Sequence, residues 1–203
     1  MKRVESAYIL AGGQSSRFGV NKALVSILGE PLIVRLANQL ASDGLEMRLV
    51  AQKISDYESL GIPTIEDGQT NGGPMAGVLA ALADCQRSSR EWCFICSCDM
   101  LDWQPQWQVA LTEAISLQPD CSAAVLSGEF DDAHTFRPFP GLYRASLLGI
   151  ARDLWDEGVR SMRGFHGRIA SEVRFCRTVA ELLPRCFNTP EELAERLAGG
   201  GQS

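Results

Sequence analysis

Apolar residues fall into short runs separated by polar, glycine-marked stretches, and two periods alternate along the chain. Ala7–Ala11, Met47–Ala51, Ile62–Ile65, Trp92–Cys96 and Ser122–Leu126 are short stretches of four or five residues, apolar throughout or broken by one or two other residues. Such runs, bounded by turn residues, predict buried strands. Glu172–Cys176 is expected to add a later strand. Between them the spacing becomes helical. Leu32, Leu36, Ala37 and Leu40 share one face until Asp43-Gly44 stops them, and Val78, Leu79, Leu82 and Ala83 follow Pro74. Residues 105–117, with Val109, Leu111, Ala114 and Ile115 apolar, predict another helix, as does Ala145–Leu154. A short helix is expected over Ser55–Leu60, ended by Gly61. Strands alternating with helices predict an α/β protein: a three-layer α/β/α sandwich on a mostly parallel, mixed sheet. No repeat or linker interrupts the pattern, so residues 1–203 are expected to form a single domain with an ordered core of about 4–198 and a frayed Gly199–Ser203 tail.

Composition narrows the function classes. A net charge of −6 argues against a nucleic-acid surface, while leaving room for a nucleotide met by a few local cations. No apolar run is long enough for a membrane span or an export signal, so no membrane partner and a cytoplasmic location are expected. Seven cysteines in such a chain should be reduced. Cys93 and Cys96 lie in a predicted strand whose successive residues face opposite sides, and the chain has only His134 and His166, so zinc binding is not expected.

Chemistry concentrates first at residues 8–22. The strand ending at Leu10-Ala11 empties into Gly12-Gly13, and the polar stretch that follows carries Arg17 and Lys22. Glycines let main-chain N–H groups converge on an oxyanion, and a guanidinium with an ammonium suits a polyphosphate. The spacing matches neither G-x-x-x-x-G-K-[ST] nor G-x-G-x-x-G. A second glycine-dense turn, Glu66 to Gly77, opens into a helix at Pro74, whose first amides would face an acceptor group. Asp99 stands just past the fourth strand, where open α/β sheets bind ligands. A capping role before the next helix is its alternative use. Thr189-Pro190-Glu191-Glu192 is a helix start with cap, proline and acidic first turn.

The pattern L-A-G-G-x-S-x-R-F-G-x-x-K-A-L over residues 10–24 resembles the nucleotidyltransferases of glycosyltransferase-A-like, nucleotide-diphospho-sugar-transferase-type fold. Within them it is most similar to the molybdenum cofactor guanylyltransferases. The resemblance extends to Gly73-Pro74-Met75-Ala76-Gly77, Cys98-Asp99, Gly141-Leu142-Tyr143, Gly158-Val159-Arg160-Ser161-Met162 and Asn188-Thr189-Pro190. It implies transfer of GMP from GTP to the phosphate of molybdopterin, or of its molybdenum-loaded form, with release of pyrophosphate. It further implies Arg17 and Lys22 at the triphosphate and Asp99 on Mg²⁺. GTP would be held by Leu10, Ala11, Gly12, Gly13, Lys22, Asp67, Gly73, Pro74, Ala76, Gly77 and Asp99, with Asp67 accepting from the base, and Asn188 would face the acceptor. Molybdoenzyme chaperones are possible partners in this picture, and the protein is expected to be a monomer or weak oligomer.

Three positions depart from the family pattern: Asn21 where an aspartate is common, Leu101 for the proline after Cys98-Asp99, and Cys186 for an asparagine. A CTP-using relative usually has L-A-A-G in the first loop; Gly13 beside Gly12 leaves room for a purine. Sugar-phosphate nucleotidyltransferases share the first loop on longer chains. A non-catalytic paralogue that binds a nucleotide or a chaperone is the alternative of a different class.

Overall fold

The computed structural model describes residues 4–11, 21–69, 72–128 and 136–199. Among these, seven strands form one sheet: β1 (Ser6–Leu10), β4 (Glu46–Ala51), β5 (Thr64–Glu66), β6 (Trp92–Ser97), β7 (Ala123–Ser127), β8 (Arg137–Arg144) and β9 (Val173–Arg177). Their order is β5-β4-β1-β6-β8-β7-β9. Every pairing is parallel except those made by β8, which runs antiparallel to both β6 and β7. The small strands β2 (Ser26–Ile27) and β3 (Glu30–Pro31) make a separate hairpin. The expected α/β class and mixed, mostly parallel sheet are what the chain forms.

Helices cover both faces. α1 (Leu32–Ser42) and α3 (Pro105–Leu117) lie on one side, where Ile9, Leu49, Phe94 and Cys96 meet Leu36, Leu40, Leu111 and Ile115. α2 (Gly73–Arg87), α4 (Leu148–Asp156) and α5 (Met162–Arg168) lie on the other, against Tyr8, Leu10, Val50, Cys93, Ile95 and Val125. The strand pleat sends Cys93 and Cys96 to opposite faces, as their spacing required. All seven cysteines are free thiols. No described helix is long and apolar enough to cross a membrane.

Two details differ from the pattern reading. Residues 55–60 form two 3-10 turns, Ile54–Asp56 and Glu58–Leu60, instead of one helix. Tyr57 breaks them apart, because its side chain turns inward to 2 % exposure. Val109, expected on the inner face of α3, is half exposed, and Trp107 and Leu111 take the buried stripe instead. The last helix, α6 (Pro190–Gly199), starts as its sequence dictates: the Glu192 N–H donates to Thr189 Oγ1 at 3.2 Å. A third apolar cluster, Ile27, Leu32, Leu101, Phe187 and Leu193, ties the hairpin and α6 to the sheet's carboxyl edge.

Candidate active site

The parallel strands end in register, and their carboxyl ends form one row. Leu10 pairs with Val50 on one side and Ser97 on the other, and Ala51 pairs with Glu66. Backbone bonds extend the row by a residue: Ala11 N–H to Val50 O (2.8 Å), Cys98 N–H to Leu10 O (3.2 Å) and Asp67 N–H to Ala51 O (2.9 Å). From Asp67 at β5 to Asp99 beyond β6 the row crosses three strand gaps, about 14 Å at the usual spacing. A nucleoside triphosphate can lie along it.

At the β6 end, Ser97 Oγ donates to Asp99 Oδ1 at 2.5 Å. The stretch 99–101 pairs with 185–187: Phe187 N–H bonds Asp99 O at 3.3 Å, Leu101 N–H bonds Arg185 O at 3.2 Å, and Met100 bridges Cys186. Cys186 lies near enough to Asp99 for the carboxylate charge to act on its thiol. Burial, reinforced by the Asp99 charge, pushes both Cys186 and Cys98 up to about 12. Neither is a thiolate at neutral pH, so the donors here are hard oxygens. A single carboxylate with a hydroxyl beside it fits Mg²⁺, which takes one or two carboxylates and completes its shell with phosphate oxygens and water. Among the described residues no three His, Cys, Asp or Glu side chains cluster as a metal cage of their own.

Lys22 joins this end of the row. Its Nζ donates to Phe187 O (3.3 Å) and Asn188 Oδ1 (3.2 Å) and lies 6.0 Å from the centroid of the Phe187 ring. Phe187 is fully buried, which anchors the segment carrying both contacts. On the other side of Lys22, Asn21 caps a 3-10 turn (Lys22–Leu24) by accepting from Ala23 N–H at 3.1 Å. Asn21 Nδ2 donates to Tyr57 Oη at 2.9 Å, and Tyr57 Oη donates to Ala11 O at 3.0 Å. Tyr57 therefore clamps the end of β1 to the residue before Lys22. An aspartate at 21 could accept at Ala23 but could not donate to Tyr57.

The β5 end holds a second group. Asp67 Oδ1 accepts from Gln69 N–H at 3.0 Å, closing a turn. Asp67 also lines a groove of about 750 Å³ with Gln69, Arg152 and Trp155. Gly73 sits at φ +61, and a Cβ there would come within 3.0 Å of Arg160 O. The Arg160 guanidinium stacks 3.6 Å over Trp155, so the Gly158–Met162 motif supports this turn from behind. Gly73 and Pro74 are exposed at the start of α2, whose N-cap residue Gly72 offers no capping side chain. Gly77 is buried because Leu10 packs where its Cβ would be, at 2.8 Å, and Ala76 is buried beside it.

Thus Lys22, Asp99 and Asn188 come together, with Leu10 and Ala11 on the neighbouring strand, while Asp67, Gly73 and Pro74 form a separate group along the same edge. Gly12, Gly13 and Arg17 lie outside the described residues. Asp99 does not cap a helix: α3 begins at Pro105, and Asp102 is taken by Arg35 at 2.9 Å. Tyr57 and Trp155 escaped the sequence reading because they act through contacts to residues far away in the chain, and Ser97 because a serine two residues before an aspartate is no signal until the side chains are seen to meet. Arg137, the first residue of β8, also reaches this end, where its charge favours the Cys186 thiolate.

An open, largely parallel sheet with an ammonium, a carboxylate and glycine turns along its carboxyl edge is the build of a nucleotide-handling α/β protein. Comparison with known proteins is more specific: residues 7–170 match the MobA-like NTP transferase domain, and the chain belongs to that family of nucleotidyltransferases. A probable molybdenum cofactor guanylyltransferase of Nostoc sp. is 30% identical over 196 residues, covering 93% of this chain and 88% of its own. Molybdopterin-guanine dinucleotide biosynthesis protein A of Archaeoglobus fulgidus has the same fold, with TM-score 0.74 at 20% identity over 96% of this chain and 99% of its own. CMP:2-keto-3-deoxy-manno-octonic acid synthetase, solved with CTP, shares the fold at TM-score 0.72 and 14% identity, covering 98% and 99% of the two chains.

Proposed function

We propose that this protein transfers GMP from GTP to the terminal phosphate of molybdopterin, with or without molybdenum, and releases pyrophosphate. The observation that carries the reading is the joining of Lys22 and Asp99 through one segment, 185–188, anchored by the buried Phe187, in a chain of this family. The names of its relatives supply the guanine and the pterin.

An acceptor phosphate oxygen forms a bond to the α-phosphorus of GTP as the bond from that phosphorus to the bridging oxygen breaks, and pyrophosphate departs with the electron pair. The attacking phosphate is already ionised at neutral pH, so no histidine is needed. The protein's work is positioning and charge neutralisation. Lys22 holds the triphosphate beside the Phe187–Asn188 segment, with Arg17 as the second cation. The open first turn of α2 and Asp67 receive the base, and Asn188 faces the acceptor. Mg²⁺ bound at Asp99 would neutralise charge developing on the phosphate oxygens.

Thermal melts with Mg²⁺ and GTP, CTP or ATP in turn test the reading. A ligand at about 100 times its Kd adds roughly 2.7 kcal/mol to the native state, so a GTP-selective rise is expected. A CTP-selective rise would favour the cytidylyl relative, and no rise with any nucleotide would favour a non-catalytic paralogue.

A further inference from the structure

We propose that Ser97 is a positioning residue for Asp99, holding one oxygen of its carboxylate so that the other is presented to the cation of the nucleotide complex. The inference rests on the metal reading of Asp99 given above and adds what aims that carboxylate. Ser97 is the last residue of β6, and its hydroxyl proton is committed to Asp99 Oδ1 at 2.5 Å. The backbone that carries Asp99 is itself pinned to the segment 185–187, with Phe187 N–H on Asp99 O and Leu101 N–H on Arg185 O. A pinned backbone and an engaged Oδ1 leave the carboxylate little freedom to rotate. With Oδ1 occupied by a hydroxyl, the side chain is set to bind through one oxygen, which suits a small cation that keeps water and phosphate ligands.

Such second contacts to a metal-binding group typically change metal affinity 10- to 100-fold when removed.

The test uses the full chain with a GTP analogue whose α–β bridge is methylene. Mn²⁺ affinity is read by electron paramagnetic resonance of free Mn²⁺, alongside the Mg²⁺ dependence of turnover with GTP and molybdopterin. Ser97→Ala is expected to weaken Mn²⁺ binding at least about 10-fold and to raise the Mg²⁺ needed for half-maximal rate by a similar factor, with GTP KM at saturating Mg²⁺ nearly unchanged. Ser97→Thr, which keeps the hydroxyl, should restore both readouts. Unchanged Mn²⁺ affinity in folded Ser97→Ala would overturn the proposal, as would a loss of melting temperature without a metal shift. Asp99→Asn separates the two levels. If it binds Mn²⁺ like the parent, the metal reading itself fails. If it loses Mn²⁺ while Ser97→Ala does not, only the positioning role fails.

Discussion

Lys22 and Asn188 stand 166 positions apart in the chain, yet the lysine ammonium donates to the asparagine side-chain oxygen at 3.2 Å. The same ammonium bonds Phe187 O, and the Phe187 N–H bonds Asp99 O. Cation and carboxylate are thus held by a single residue whose ring is buried among Ile27, Leu32, Leu101 and Leu193. The active-site spacing depends on an apolar anchor.

Removing the ammonium should be felt by the triphosphate more than by the base. Lys22→Ala is expected to weaken GTP binding well beyond GMP binding and to lower turnover by roughly 10²- to 10³-fold. Isothermal titration with both nucleotides checks this. Equal losses for the two would place Lys22 away from the β- and γ-phosphates.

Asp99→Ala should abolish turnover while the melting temperature stays close to the parent's, because Asp99 is half exposed and packs no apolar core. Pyrophosphate release and a thermal melt measure the two sides. Parent-level activity in this variant would end the metal assignment.

Tyr57→Phe deletes the hydroxyl that joins Asn21 to Ala11 O without changing the ring's packing. A loss of about 1–3 kcal/mol is expected, since Ala11 O and the Asn21 amide both lose a partner. A raised KM for GTP should accompany it, as the residue before Lys22 is released. Denaturant unfolding and steady-state kinetics together decide whether this clamp serves the site or only the fold.

His166 gives the fold an acid limit. Its imidazole is 4 % exposed, stacked on Phe136 at 4.4 Å, with Nε2 3.0 Å from Tyr143 Oη. The Tyr143 proton goes to Pro138 O at 2.7 Å, so Nε2 must carry the hydrogen and donate to Tyr143. Burial lowers the histidine to about 4. Between about pH 6.5 and 4 the unfolded chain therefore takes up a proton that the native state refuses. Stability falls as pH drops through that window and is fully present above it, by on the order of 3 kcal/mol. Urea melts at pH 7.5, 6 and 5 should show this slope in the parent and a flatter one in His166→Gln.

Two glycines in helices should behave oppositely. A Cβ at Gly77 would meet Leu10 at 2.8 Å, so Gly77→Ala is expected to cost about 1–3 kcal/mol and to disturb the end of β1. Gly149, near the start of α4, has open space around its missing Cβ, and Gly149→Ala should gain up to about 1 kcal/mol. Chemical denaturation of both variants is the check.

The strands, the main helices and the parallel-dominated sheet were readable because burial on both faces writes short apolar runs, and helix faces repeat locally. Lys22 and Asp99 were readable for a similar reason: a cation in a glycine-led polar stretch and a carboxylate just past a strand end are local signals. Asn188 was reached only through the resemblance, and its contact with Lys22 has no local trace. The clamp by Tyr57 and the support of Gly72-Gly73 by Trp155 and Arg160 were not legible, since hydrogen bonding and packing across the chain decide them. The Ser97 hydroxyl on Asp99 is local, but the residue types alone do not say that the two side chains meet.

The amino-acid order by itself determined which segments become strands and helices, the cap of α6, and the kind of chemistry the strand ends can hold. Those are set by periodicity and by a few neighbouring residues. Tertiary structure alone decided which of the candidate groups share a site, which glycine serves packing and which lies open to solvent, and which oxygen of Asp99 is already engaged. The reason is geometric: a parallel sheet aligns strand ends that lie far apart in sequence, and only the closed fold brings residues 185–188 back across that edge.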